Sequence, residues 1–171
     1  MKKPFALVTS LLLLPACQTT RTVTLVGMTD YHSHAVPFYS EGEPGQGGVA
    51  RALAYLRDAK AKPDTLVVSG GDTLNKGVPT WSDEYGCVEW PWFNGVLDVM
   101  ALGNHDLDYG AEAFERCRAG ADYPVLSANL VGADGAPYLR VEGRPYLVKE
   151  VGGVRLGFFA VAGPDMQRLV K

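Results

Sequence analysis

With 171 residues, 47% of them apolar, the chain is long enough to bury one sizeable core and fits a single domain of ordinary size. Its formal net charge of -3 comes without any run of clustered Lys and Arg, so it lacks the electrostatic footprint of a nucleic-acid binder.

The chain opens on Lys2 and Lys3, followed by an almost uninterrupted apolar run from Phe5 to Leu14, the pattern of a signal peptide. The run falls short of the ~18 apolar residues that a membrane-spanning helix needs. Pro15 and the polar stretch Gln18 to Thr22 would end a buried core helix abruptly. Leu14-Pro15-Ala16-Cys17 resembles the bacterial lipobox, whose cysteine is acylated and becomes the mature N-terminus. One acyl chain binds membranes only marginally, so the resemblance implies multiple acylation of Cys17. The expected organisation is a lipoprotein-type leader at residues 1–16 and one domain over residues 17–171, exported and lipid-anchored in the periplasm or at the cell surface. The alternative is an ordinary signal peptide cleaved near an incidental Cys17. In an oxidising compartment Cys87 and Cys117 form either a disulfide or a pair of buried thiols, and the sequence sets no distance between them.

Val23 to Met28 carries β-branched and apolar residues in partial alternation and reads as the first strand. Gly42 to Gly48 reads as a Gly/Pro-rich loop, after which Val49, Leu53 and Leu56 recur at helical spacing to about Lys62. Pro63 stops that helix, and Thr65 to Ser69 is a short β-branched run of the buried parallel kind. Asp72 to Trp92 is loop-like, with Pro91 placed to begin a helix reaching Leu97. Asp98 to Leu102 reads as a strand, Ala111 to Cys117 as a helix, Pro124 to Ser127 as a strand, and Tyr146–Val151 with Val154–Val161 as a hairpin around Gly152-Gly153. Alternating strands and helices predict an α/β domain with a largely parallel sheet, in which chemistry collects at the carboxyl ends of the strands.

That edge carries metal-type ligands: Asp30 and His32 after the first strand, Asp72 after the second, and Asn104, His105, Asp106 and Asp108 after the third. Phosphate-ester hydrolysis needs an anionic centre neutralised and a nucleophile made from water at neutral pH, and two divalent ions roughly 3.5 to 4 Å apart supply both. A carboxylate shared between them fixes the spacing, and Asp72 in Gly70-Gly71-Asp72 suits that place because glycines let the backbone turn tightly. Singly, each residue has a plainer explanation. Asp72 could cap its turn, and Asn104 or Asp106 could cap the helix that follows.

Asp30-Tyr31-His32, Gly70-Gly71-Asp72 and Gly103-Asn104-His105-Asp106 resemble, in order and spacing, the motifs of the calcineurin-like metallophosphoesterases. The extension Leu107-Asp108-Tyr109-Gly110 is similar to the 5'-nucleotidase and UDP-sugar hydrolase branch, which usually has Glu and Phe in place of Asp106 and Leu107. Gly47-Gly48-Val49-Ala50-Arg51 and Leu126-Ser127-Ala128-Asn129 resemble further stretches of that branch. The resemblance implies an αββα sandwich with two divalent ions, of Mn, Zn, Fe or Co. Asp30 and His32 would bind the first, Asp72 would bridge, and Asn104 would bind the second. It further implies that His105 is paired with Asp108 and acts on the transition state or the leaving oxygen, and that the substrate is a small phosphoester, above all a nucleotide. Sugar nucleotides, cyclic nucleotides and sulfur esters suit the same metal core. Two further metal-site histidines belong to the later part of that catalytic domain, and the chain reaches Lys171 without them. The expectation is a C-terminally truncated domain whose partner is the rest of the same protein. A non-catalytic surface lipoprotein built on the same front half is the competing function. His34 reads as a solvated loop histidine and Asn129 as a pocket residue without a role. The aromatic residues Trp81, Tyr85, Trp90 and Trp92 fit core or lid packing better than a base-stacking platform.

Overall fold

The computed structural model describes residues 20–77, 86–164 and 166; the leader, Cys17, Trp81 and Tyr85 lie outside them. In chain order the described elements are β1 (Thr24–Met28), β2 (Phe38–Ser40), β3 (Glu43–Gln46), α1 (Val49–Lys60), β4 (Thr65–Ser69), a 3-10 helix (Gly86–Phe93), β5 (Val99–Ala101), a 3-10 turn (His105–Leu107), α2 (Gly110–Arg118), β6 (Val125–Leu126), β7 (Leu147–Val151) and β8 (Val154–Phe158).

β1, β4, β5 and β6 form one four-stranded sheet in the order β1-β4-β5-β6, and every neighbouring pair is parallel. Side chains alternate across a strand, and the register places Val26 beside Val67 and Met100 beside Val125. These residues share one apolar cluster with Leu53 and Leu56 of α1 and Phe114 and Cys117 of α2, so both helices pack on this face. Leu66, Val99 and Leu126 point the other way and are buried too. The β7–β8 hairpin meets the chain at both ends of the sheet. Its turn meets Asp64 just before β4, while the chain leaving β8 accepts the Ala128 N–H at the Ala160 carbonyl (2.7 Å) beyond β6. The result is the mixed α/β architecture with a parallel sheet expected for the N-terminal part of an αββα sandwich.

α1 forms because Leu53, Leu56 and Ala59 line one buried stripe, and Arg57 and Lys60 in its last turn suit the negative end of the helix dipole. It ends two residues before the predicted Lys62 because the chain tightens there, with the Lys62 N–H bonding the Ala59 carbonyl at 3.0 Å.

Two expectations are corrected. The predicted Gly42–Gly48 loop contains β3, paired antiparallel with β2; Gly42 in the turn and Pro44 and Gly45 within β3 hid a hairpin whose residues are mostly exposed and carry no apolar alternation. Pro91 does not start a helix to Leu97 but sits inside the 3-10 helix Gly86–Phe93. Cys87, Trp90 and Phe93 recur every three residues, the repeat of a 3-10 helix, and Trp90 and Phe93 are fully buried. Trp90 meets Phe114 edge-on at 5.8 Å and stacks on Tyr123 at 6.4 Å, so it belongs to the core. A Cys87–Cys117 disulfide, Cα to Cα 4.4 Å, fastens this 3-10 helix to α2.

At the opposite edge of the sheet from the candidate site, buried Asp98 accepts the Lys60 ammonium, the Lys149 ammonium (2.5 Å) and the Val67 N–H (2.9 Å). One carboxylate thus ties α1, the sheet and β7 together. Burial pushes its pKa up, but the two lysines and the amide outweigh that and hold it below the usual range.

Candidate metal centre

Because β1, β4 and β5 are parallel neighbours, the loops that leave them emerge at one edge of the sheet. The first two loops run side by side: the N–H groups of Asp30, His32 and Ser33 bond the carbonyls of Gly71, Asp72 and Thr73 at 2.9 to 3.2 Å. The second and third are pressed together backbone to backbone. A Cβ on Gly71 (φ +95°) would lie 2.4 Å from the Gly103 nitrogen, and one on Gly103 would lie 2.1 Å from Asp72 Oδ1. Glycine is required at both positions, since a real Cβ at either would force the loops apart.

Asp106 clamps the two loops from beneath. It is buried, and its Oδ2 accepts the N–H groups of Asp72 (3.1 Å) and Gly103 (2.9 Å) while Oδ1 accepts those of Thr73 (2.8 Å) and Leu74 (3.3 Å). Burial raises its carboxyl to about 7, against the amides that hold it down. Asp106, a ligand type at the third strand end whose plainer reading is a cap for the helix that follows, caps the strand-end loops instead.

On this platform the predicted side chains converge. His32 Nε2 lies 3.3 Å from Asp30 Oδ1 and 3.9 Å from Asp72 Oδ2, and a Thr29 hydroxyl bond (2.7 Å) holds the Asp30 carboxyl below its usual range. Asp72 Oδ1 accepts the His105 N–H at 2.9 Å. His105 Nδ1 pairs with Asp108 Oδ2 at 2.8 Å, and that oxygen also accepts the Lys76 N–H at 3.0 Å. Burial alone would lower the imidazole pKa, but the hydrogen bond and charge of Asp108, with the charges of Asp72 and Asp106, leave it raised. The His32 and His105 rings meet edge-on at 4.7 Å. One ligand atom each from His32, Asp72 and His105 lies within 4.8 Å of the others, so the geometry admits His105 as a donor as well as a proton carrier. Asn104 sits exposed at the head of the 3-10 turn and does not cap it.

Imidazole nitrogen and carboxylate oxygen are a donor set for a divalent cation. Among the described residues the carboxylates of Asp30 and Asp72 form ion pairs with His32 and none with Lys or Arg, which leaves their charge for a metal. An open cleft of about 860 Å³ runs from Asp30 and His32 to the start of α1, where Phe38, Arg51 and Tyr55 line it.

Two residues depart from their sequence reading. His34 is half-buried rather than solvated: its Nδ1 donates to the His32 carbonyl (2.7 Å) and its ring meets Phe38 at 5.0 Å. Asn129 pairs with the backbone of Ala162 in both directions, at 2.8 Å each, and so pins the chain leaving β8.

The calcineurin-like phosphoesterase family model matches residues 23–165, which contain all three loops. The chain is 35% identical over 117 residues to the 5'-nucleotidase of Homo sapiens, covering 65% of this chain and 20% of that protein. It is 26% identical over 156 residues to protein UshA of Yersinia enterocolitica, covering 88% and 27%. Among solved structures, the 5'-nucleotidase precursor from Thermus thermophilus is similar with a TM-score of 0.68 at 32% identity, over 85% of this chain and 29% of that one. The chain thus spans between a fifth and less than a third of the length of these relatives. With all three strand-end loops inside the matched segment, the chain belongs to the calcineurin-like phosphoesterase family.

Proposed function

We propose that this chain carries the front part of a metal-dependent phosphomonoester hydrolase that acts on nucleotides through two divalent ions. The observation that carries this is His32 Nε2 held between the Asp30 and Asp72 carboxylates, next to the His105–Asp108 pair. The 5'-nucleotidases among its relatives support a nucleotide as the substrate. On this reading Asp30 and His32 hold one ion, Asp72 is shared, and Asn104 serves the second. When bound, the ions neutralise the phosphoryl oxygens and lower the pKa of a water molecule.

The chain's own residues do the rest. Asp108 fixes the His105 ring by accepting from Nδ1, which leaves Nε2 to carry the proton given to the developing charge on oxygen. The raised pKa keeps that proton in place nearer to neutral pH. With His105 kept for the proton, Asp72 and Asn104 are the described residues that would hold the second ion, fewer than the three protein donors such ions commonly take. Full activity on this account needs donors from a further segment.

Calorimetric titration with Mn²⁺ and Zn²⁺ tests the reading. Saturating heat is expected, and no heat with any divalent ion would favour a non-catalytic module. Phosphate release from AMP, compared with a sugar nucleotide and a cyclic nucleotide, sets the ester class. Export and lipid anchoring are part of the proposal, supported by Lys2, Lys3, the apolar run and Cys17. Cys17→Ser is expected to move the protein from membranes to the soluble fraction, and a parent protein already soluble on fractionation would contradict the anchor.

A further inference from the structure

Glu89 lies in the apolar stretch Val88-Glu89-Trp90 and is fully buried. A carboxylate there is expensive unless something specific is gained, since an apolar residue of similar size would pack without the desolvation penalty. Its two oxygens have two partners: Oε1 accepts the Tyr31 hydroxyl and Oε2 the Ser33 hydroxyl, each at 2.6 Å. Tyr31 and Ser33 are the residues on either side of His32.

The segment they flank is under strain. Asp30, His32 and Ser33 all have left-handed backbone, with φ of 54°, 48° and 56°, a conformation that persists in non-glycine residues only where the surroundings enforce it. Glu89 supplies such enforcement from a fixed base. The Cys87–Cys117 disulfide begins two residues before it, buried Trp90 follows it, and Phe93 of the same 3-10 helix meets Tyr31 edge-on at 5.6 Å.

We propose that Glu89 is a positioning residue for the metal centre: by gripping both neighbours of His32 it holds the Asp30–Ser33 loop in the strained shape that aims Asp30 and His32 at a shared cation. This rests on the assignment of Asp30 and His32 as metal ligands. Groups that orient metal ligands without touching the ion are typically worth ~10 to 100-fold in affinity.

The test uses the full chain with Mn²⁺ as the probe and Glu89→Ala, Glu89→Gln and the pair Tyr31→Phe with Ser33→Ala as variants. Glu89→Ala is expected to weaken Mn²⁺ binding by ~10-fold or more. Glu89→Gln is expected to restore most of it, because an amide can still bond both hydroxyls. The Tyr31/Ser33 pair deletes the same two bonds without touching the buried position and is expected to reproduce the loss, so a Glu89→Ala protein that fails to fold does not shield the proposal. In metal-free protein, amide exchange at Asp30, His32 and Ser33 is expected to speed up in these variants while β4 stays protected. If the parent binds Mn²⁺ and the folded variants bind it equally well with unchanged exchange, the positioning role is wrong and the metal assignment stands. If the parent binds no Mn²⁺, the metal assignment falls and the positioning role falls with it.

Discussion

Asp106→Asn separates the two halves of the Asp106 clamp by changing one atom. In the parent each carboxylate oxygen accepts two backbone N–H groups, those of Thr73 and Leu74 on Oδ1 and those of Asp72 and Gly103 on Oδ2. Asparagine keeps one oxygen and replaces the other with an NH₂ donor. Whichever way the amide turns, two amides lose their acceptor and face another donor in a buried place. Leaving a buried donor unsatisfied costs ~1–3 kcal/mol, and the neutral amide escapes the desolvation that raises the carboxyl, so the variant is expected to lose ~1–2 kcal/mol of stability. The assay is urea unfolding followed by circular dichroism in alkaline buffer, above the value of about 7 to which burial raises this carboxyl. Because the loosened amides belong to the loops carrying Asp72 and Asn104, Mn²⁺ affinity should fall with stability. A midpoint within error of the parent, with unchanged cooperativity, would show that Asp106 does not hold these loops as an ionised acceptor.

Two further outcomes follow from the same geometry. Asp98→Asn is expected to lower stability by ~2–3 kcal/mol at neutral pH, the lower end for a broken buried pair because the two lysines can turn to water. The Asp98 carboxyl is lower in the folded than the unfolded state, so its contribution is complete above the unfolded value of about 3.9 and vanishes as the pH falls through the folded one. Thermal melts on acidification should show the gap between parent and variant closing, and a gap that persists in strong acid would refute the linkage. Gly103→Ala puts a methyl 2.1 Å from Asp72 Oδ1 and is expected to cost ~2 kcal/mol or more and to weaken Mn²⁺ binding by displacing Asp72; a variant that melts and binds like the parent would mean the loops are not in contact.

The parallel strands and the three loops of the candidate site were legible because each lies where a β-branched run such as Thr65–Ser69 gives way to Gly, Asp, Asn or His. The β2–β3 hairpin was not, since its residues are mostly exposed and leave no period to read. The Gly86–Phe93 helix was hidden by a three-residue repeat that neither an α-helix nor a strand template detects. At the centre, Asp30, His32, Asp72, His105 and Asp108 announced themselves as ligand types at strand ends. The clamping role of Asp106 and the burial of Glu89 did not show, because each acts through partners far away in sequence: Asp106 on Asp72 to Leu74, Glu89 on Tyr31 and Ser33. A single charge within the apolar run Val88–Phe93 was the one available sign that Glu89 is buried for a purpose.

Mn²⁺ titration of three proteins, the parent, Asp72→Asn and His105→Ala, tests the central claim most directly. If Asp72 is the shared ligand and His105 the proton carrier, the parent binds, Asp72→Asn loses most of the binding, and His105→Ala keeps it nearly intact. Binding that survives Asp72→Asn and is lost in His105→Ala would make His105 the ligand and contradict the account.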